Sequence, residues 1–138
     1  LMCGNHRVLM NELSDIADSQ RAAPRLIVGY TPDVRNYMAM ADFFIGKPGP
    51  GCLSEAVQQG LPVITFRNAW TLPQERYNAD WVLDNGLGLV VRSTRRLAEA
   101  VQTLLAKLPE FRARVRQIDN QAVFEVPDLL FVSLCLKA

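Results

Sequence analysis

The ten residues from Gly46 to Glu55 (Gly-Lys-Pro-Gly-Pro-Gly-Cys-Leu-Ser-Glu) hold the densest potential for chemistry in the chain. Glycine lets a backbone approach a ligand closely, and proline fixes the shape of a loop in advance. The residues behind them predict a helix from Gly51 to Gln59 that stops at Gly60. The first amides of such a helix, from Gly51 to Ser54, have no intrahelical acceptor. Together with the positive end of the helix dipole they form a site for phosphate, and Lys47 adds a full charge at the loop entrance. The bland alternative is a strand-to-helix turn that needs glycine only for geometry. The Gly-Lys-Ser/Thr ending of a P-loop is missing, and the glycine spacing is not that of a dinucleotide fingerprint. Glu55 lies one turn into the helix. An acid there favours the helix, but beside a phosphate it is repulsive unless its carboxylate accepts hydrogen bonds from sugar hydroxyls such as a ribose diol.

Two further loops carry suitable groups. Arg67–Pro73 delivers Gln74 and Glu75 to the start of a helix, with Asn78-Ala79 one turn on. An amide and a carboxylate can grip the hydroxyls of a second sugar, or serve only as helix-start residues. Tyr30-Thr31-Pro32 ends an apolar run, where Tyr30 either stacks on a base or packs in the core.

The elements that must position these loops follow from apolar patterning. Arg25–Tyr30, Asp42–Ile45, Pro62–Phe66 and Gly88–Val91 are short, nearly continuous apolar runs, as expected of strands covered on both faces. Helical patterns lie between and after them: His6–Ser19, Asp33–Ala41, Gly51–Gln59, Gln74–Asn85 and Thr94–Leu108. A further helix is predicted from Pro109 to about Val123, and a short last one from Pro127. This alternation predicts an α/β fold, a Rossmann-like doubly wound parallel sheet, with ligands at the carboxyl ends of its strands.

Composition narrows the functional classes. The 138 residues are 49% apolar and 21% charged, an ordinary globular mixture for one domain. A net charge of +1 gives no global footprint for nucleic acid. Arg112, Arg114 and Arg116, with Arg92, Arg95 and Arg96 upstream, read as a solvated helix face or as a patch for anionic lipid head groups. Cys3, Cys52 and Cys135 are odd in number and lack metal-ligand spacing, which fits a reducing, cytoplasmic setting. No apolar run reaches the roughly 18 residues of a membrane span, so any membrane contact is expected to be peripheral. The opening at Leu1 reads like the end of a strand, and the chain is expected to be a piece of a longer protein.

Taken jointly, three segments resemble the C-terminal, nucleotide-sugar-binding half of GT-B glycosyltransferases of family 28. They are Ala41–Gly51, then Ser54-Glu55-Ala56 with Gly60–Ile64, then Pro73-Gln74-Glu75 with Asn78-Ala79. Cys3-Gly4-Asn5 followed by Leu9 looks like an opening loop of the same domain. Lys47-Pro48-Gly49-Pro50-Gly51 is most similar to the diacylglycerol glycosyltransferase branch. The resemblance implies that residues 1–126 form the donor-binding domain, short of its first strand and turn, and that 127–138 form a tail helix.

It also implies roles. The amides from Gly49 through Pro50, Gly51 and Cys52 to Leu53 would hold the diphosphate of a UDP-sugar, with Lys47 beside them. Glu55 would bind the ribose. Gln74 and Glu75, with Asn78, would face the donor hexose. Tyr30 and Thr31 would flank the uracil, with Asn5 nearby. The implied reaction is inverting transfer of a hexose to a lipid acceptor such as diacylglycerol, with no cofactor and no metal site. The catalytic base stays unassigned, because it belongs to an acceptor domain in the same or a partner chain, and this piece alone is expected to be inactive. Cys52 stands where relatives often carry Ser or Thr, which weakens a side-chain contact but leaves its amide intact. Two rival readings remain: a UDP-sugar epimerase on the same fold, and a non-catalytic donor-binding subunit of a split transferase.

Overall fold

The computed structural model describes residues 1–16 and 25–135. The chain divides into two compact units, 1–37 and 38–138.

In the first unit, β1 (Met2–Gly4) pairs in parallel with β2 (Val28–Gly29), with Met2 opposite Val28. Helix α1 (Arg7–Ser14) follows β1, and the Nδ1 of His6 caps it by accepting the Leu9 amide at 3.0 Å. The predicted helix His6–Ser19 is therefore one residue shorter at its start and already stops at Ser14, with Asp15 and Ile16 in a bend; residues 17–19 lie outside the described residues. Helix α2 (Val34–Ala39) begins after Asp33, whose own amide donates to Thr31 Oγ1 at 3.1 Å, and it runs on past the boundary between the units.

The second unit is a three-stranded parallel sheet in the order β3 (Phe44–Ile45), β4 (Val63–Phe66), β5 (Gly88–Val91). Each strand is followed by a helix: α3 (Pro50–Gln58), α4 (Pro73–Asp84) and α5 (Leu97–Ala106), the last entered through a 3-10 turn at Thr94–Arg96. Parallel strands require such crossovers. The sheet is covered on both faces, which explains its near-continuous apolar runs. Ile64 turns toward Val91, Ala100 and Leu104, with Phe111 packed against that cluster. Val63 and Thr65, alternating with Ile64, face the other side and are fully buried. Gly60 and Gly86 end α3 and α4 at φ of +75° and +62°, a backbone region that L side chains rarely adopt.

Two predicted helices differ from those observed. The helix expected from Pro109 to about Val123 is α6 (Leu108–Val115), which stops eight residues earlier. Its last buried residue is Val115, and in the polar run that follows only Ile118 is apolar, and it is half-buried. The helix expected to open at Pro127 instead begins at Ala122 and carries Pro127 in its interior, as α7 (Ala122–Cys135). Proline is favoured in a first turn, which is why it misleads as a start signal. Residues 136–138 of the predicted tail helix lie outside the described residues. No helix among the described residues is long and apolar enough to cross a membrane.

The arginine cluster does not form one face. Arg112 pairs with Asp42, Arg96 pairs with Glu99 at 2.9 Å, and Arg114 lies across Gly86. Arg92 lines one cavity with Arg96 and Glu99 and a second with Arg67 and Arg76.

Candidate functional site

The glycine-rich loop leaves the carboxyl end of β3 and enters α3 at Gly49, which has extended backbone and no side-chain cap. Pro50 is the first helical residue and has no N–H to satisfy. The Leu53 amide donates to the Gly49 carbonyl at 3.1 Å and closes the first helical turn. The expectation that Leu53 and Ser54 would offer free amides is therefore narrowed: the Leu53 N–H is engaged, and its side chain is buried. Pro50 contributes shape and no donor. Gly51 and Cys52 are left as the uncapped donors at the positive end of the helix, both exposed. Lys47 is exposed at the loop entrance.

Two contacts fix the loop. Thr65, fully buried in β4, donates its Oγ1–H to the Gly46 carbonyl at 2.9 Å. Asn78, in the second turn of α4, donates from Nδ2 to the Pro48 carbonyl at 2.8 Å. The sequence reading missed Thr65. Its signal was a single polar residue inside the apolar run Pro62–Phe66. Asn78 was expected to face a sugar, and here its amide donor holds the backbone of the glycine-rich loop.

The structure also brings Glu75 to this loop. A Cβ built on Gly49 would stand 3.8 Å from Glu75 Oε1, so the half-buried carboxylate lies against the loop's last extended residue. Gln74, beside it at the start of α4, is exposed, as is Glu55 on α3. The second unit thus joins the glycine loop and the start of α4 into one surface at the strand ends. A groove of about 460 Å³ flanks it, bounded by Pro50, Ser54, Asn78 and Trp81.

The remaining expected residues belong to the first unit. Asn5 follows β1 and is exposed. Tyr30 follows β2 and is 73% exposed, which rules out the core role that its sequence position allowed. Thr31 is half-buried and uses its Oγ1 as acceptor for the Asp33 amide. Among the described residues, no group of three or more His, Cys, Asp or Glu side chains is placed to hold a metal ion.

Comparison with known proteins places this geometry in a family. The model of the glycosyltransferase family 28 C-terminal domain matches residues 5–130. The chain is 31% identical over 133 residues to monogalactosyldiacylglycerol synthase 3, chloroplastic, of Arabidopsis thaliana, covering 91% of this chain and 27% of that protein. It is 33% identical over 101 residues to the probable monogalactosyldiacylglycerol synthase of Nicotiana tabacum, covering 73% of this chain and 18% of the relative. The spinach enzyme of the same name is 32% identical over an equal length and coverage of this chain. The chain thus spans about a quarter or less of the length of these curated relatives. Over nearly all of its length, this chain belongs to the glycosyltransferase family 28 C-terminal domain family.

Proposed function

We propose that this chain is the donor-binding domain of a glycosyltransferase that moves a hexose from a UDP-sugar to a lipid acceptor such as diacylglycerol. Its support is the uncapped start of α3, tied to α4 through Asn78 and Pro48 and bordered by Glu75. The relatives' names supply the lipid acceptor class.

In this reading the diphosphate accepts hydrogen bonds from the Gly51 and Cys52 amides. Glu55 accepts from the ribose hydroxyls, while Gln74 and Glu75 bind the hexose. The acceptor hydroxyl attacks the anomeric carbon from the face opposite the diphosphate. The carbon–oxygen bond to UDP breaks, the configuration inverts, and the acceptor proton passes to a base contributed from outside this domain. Negative charge grows on the departing UDP. The α3 dipole and Lys47 are placed to stabilise it, so the domain itself supplies the positive charge that the leaving group needs.

Isothermal titration of UDP against the intact protein tests the assignment. The variant Glu55→Ala should bind UDP at least roughly tenfold more weakly, the scale of one charged hydrogen bond to the ribose. Equal affinity in variant and wild type refutes it. Incubation with UDP-N-acetylglucosamine and no acceptor separates the epimerase reading, which requires an epimerised product.

A further inference from the structure

The groove beside the glycine-rich loop is lined very differently from the loop itself. Tyr77 and Trp81 stand four residues apart on α4, which puts them on one side of the helix. Both line the groove, with Ser54 of α3 and with Gln117 and Asp119 from the segment that follows α6. Tyr77 is 73% exposed and Trp81 is half-buried, so neither ring is committed to the core. Among the described residues, the Tyr77 hydroxyl, the Trp81 indole N–H, the Ser54 hydroxyl and the Gln117 side-chain amide have no hydrogen-bond partner. Asp119 is held in place: the Gln121 side-chain amide donates to its Oδ1, and its Oδ2 has no partner among the described residues.

This lining selects its ligand by chemistry. It contains no Lys, Arg or His, so a phosphate or a nucleotide would meet the Asp119 carboxylate and no countercharge. A wholly apolar partner would strip water from these polar ends and return no hydrogen bonds. A sugar ring suits both kinds of lining. Its C–H faces stack on aromatic side chains, and the hydroxyls on its rim reach an amide, a hydroxyl and a carboxylate. The volume of about 460 Å³ lies in the range of small-molecule sites.

We propose that this groove binds an uncharged hexose, stacked on Trp81 and Tyr77, with a sugar hydroxyl donating to Asp119 Oδ2. The site goes beyond the donor reading, because binding here needs no sugar nucleotide, and Gln74 and Glu75 do not line the groove. Pro50 and Asn78 do line it, and Asn78 also holds the glycine-rich loop, so a hexose bound here lies next to that loop. A free hexoside and the hexosyl head of a lipid present the same ring, and the two are separated by experiment.

Saturation-transfer NMR of the intact protein with methyl β-galactoside and methyl β-glucoside tests the site. At least one should bind saturably, with a Kd on the order of 1 mM. Trp81→Ala should weaken that binding roughly tenfold, and Asp119→Asn about fivefold. If Trp81→Ala does not fold, Tyr77→Ala at its exposed position carries the test and should also weaken binding. Trp70→Ala, which removes an indole outside the groove, should leave hexoside affinity unchanged, as should Gln74→Ala. UDP affinity should be the same in Trp81→Ala, Asp119→Asn and wild type, so a failed donor site and a failed groove give different results. Octyl β-galactoside below its micelle concentration should bind about tenfold more tightly than the methyl glycoside if the ligand is a hexosyl lipid, the scale of two buried methylenes, and equally if it is a free hexose. Absence of saturable hexoside binding by wild type overturns the proposal. So does wild-type affinity in the folded groove variants, or loss of binding in Gln74→Ala alone, which would put the sugar in the donor site. Equal binding of 1-octanol and octyl β-galactoside would mark a merely apolar groove and overturns it as well.

Discussion

The side-chain amide of Asn78 donates to the carbonyl of Pro48 at 2.8 Å, bridging thirty positions of sequence. Pro48 is buried, so its carbonyl has little water to fall back on. The bond ties the glycine-rich loop to α4 and with it fixes the spacing between the Gly51 amide and Glu75. Replacing Asn78 by Asp removes the donor and sets a carboxylate against the carbonyl. The expected cost is about 1–3 kcal/mol of stability. A loop displaced by even about 1 Å should also weaken UDP binding, by roughly tenfold or more. Thermal unfolding and titration of the same sample check both numbers.

Thr65 acts on the other end of the loop. Thr65→Val keeps the shape of the side chain but leaves the Gly46 carbonyl without its 2.9 Å partner. Stability should fall by about 1–3 kcal/mol. Thr65→Ser keeps the hydroxyl and should restore the loop's affinity for UDP, leaving only the loss of a buried methyl. Chemical denaturation of the three proteins separates the hydroxyl from the methyl.

Much of this was legible in the sequence because glycine and proline punctuate it. Pro50 and Gly60 bracket α3, Pro73 and Gly86 bracket α4, and β5 was read at its observed bounds. Tertiary packing was not legible. Nothing local marks Asn78 as a ligand of a carbonyl thirty residues away, or ends α6 at Val115, where the buried stripe stops. The charge cluster was legible only in part: Arg92 lines a cavity with its sequence neighbour Arg96, but also a second one with Arg67 and Arg76 across the β4–β5 pair.

Gly88 fixes the register of that pair. A Cβ at this position would stand 1.8 Å from the Val63 carbonyl oxygen, so Gly88→Ala must push β5 away from β4. Overpacking against backbone should cost about 1–3 kcal/mol at least. The loss should appear as a lower denaturation midpoint, whereas Gly51→Ala, with open space around its Cβ, should change stability far less.

Lys47 is exposed at the mouth of the loop, so its charge contributes little to stability and, in the proposed reaction, is available to the leaving group. Lys47→Met in the intact protein should lower kcat roughly tenfold to a hundredfold, because the charge on UDP is greatest in the transition state. KM for the donor should change less than kcat, which steady-state kinetics would show directly.

A structure of the intact protein soaked with uridine diphosphate tests the donor site most directly. Phosphate oxygens should lie about 3 Å from the Gly51 and Cys52 nitrogens, with the ribose hydroxyls on the Glu55 carboxylate. Well-ordered nucleotide elsewhere, with these two amides facing only water, would contradict the assignment.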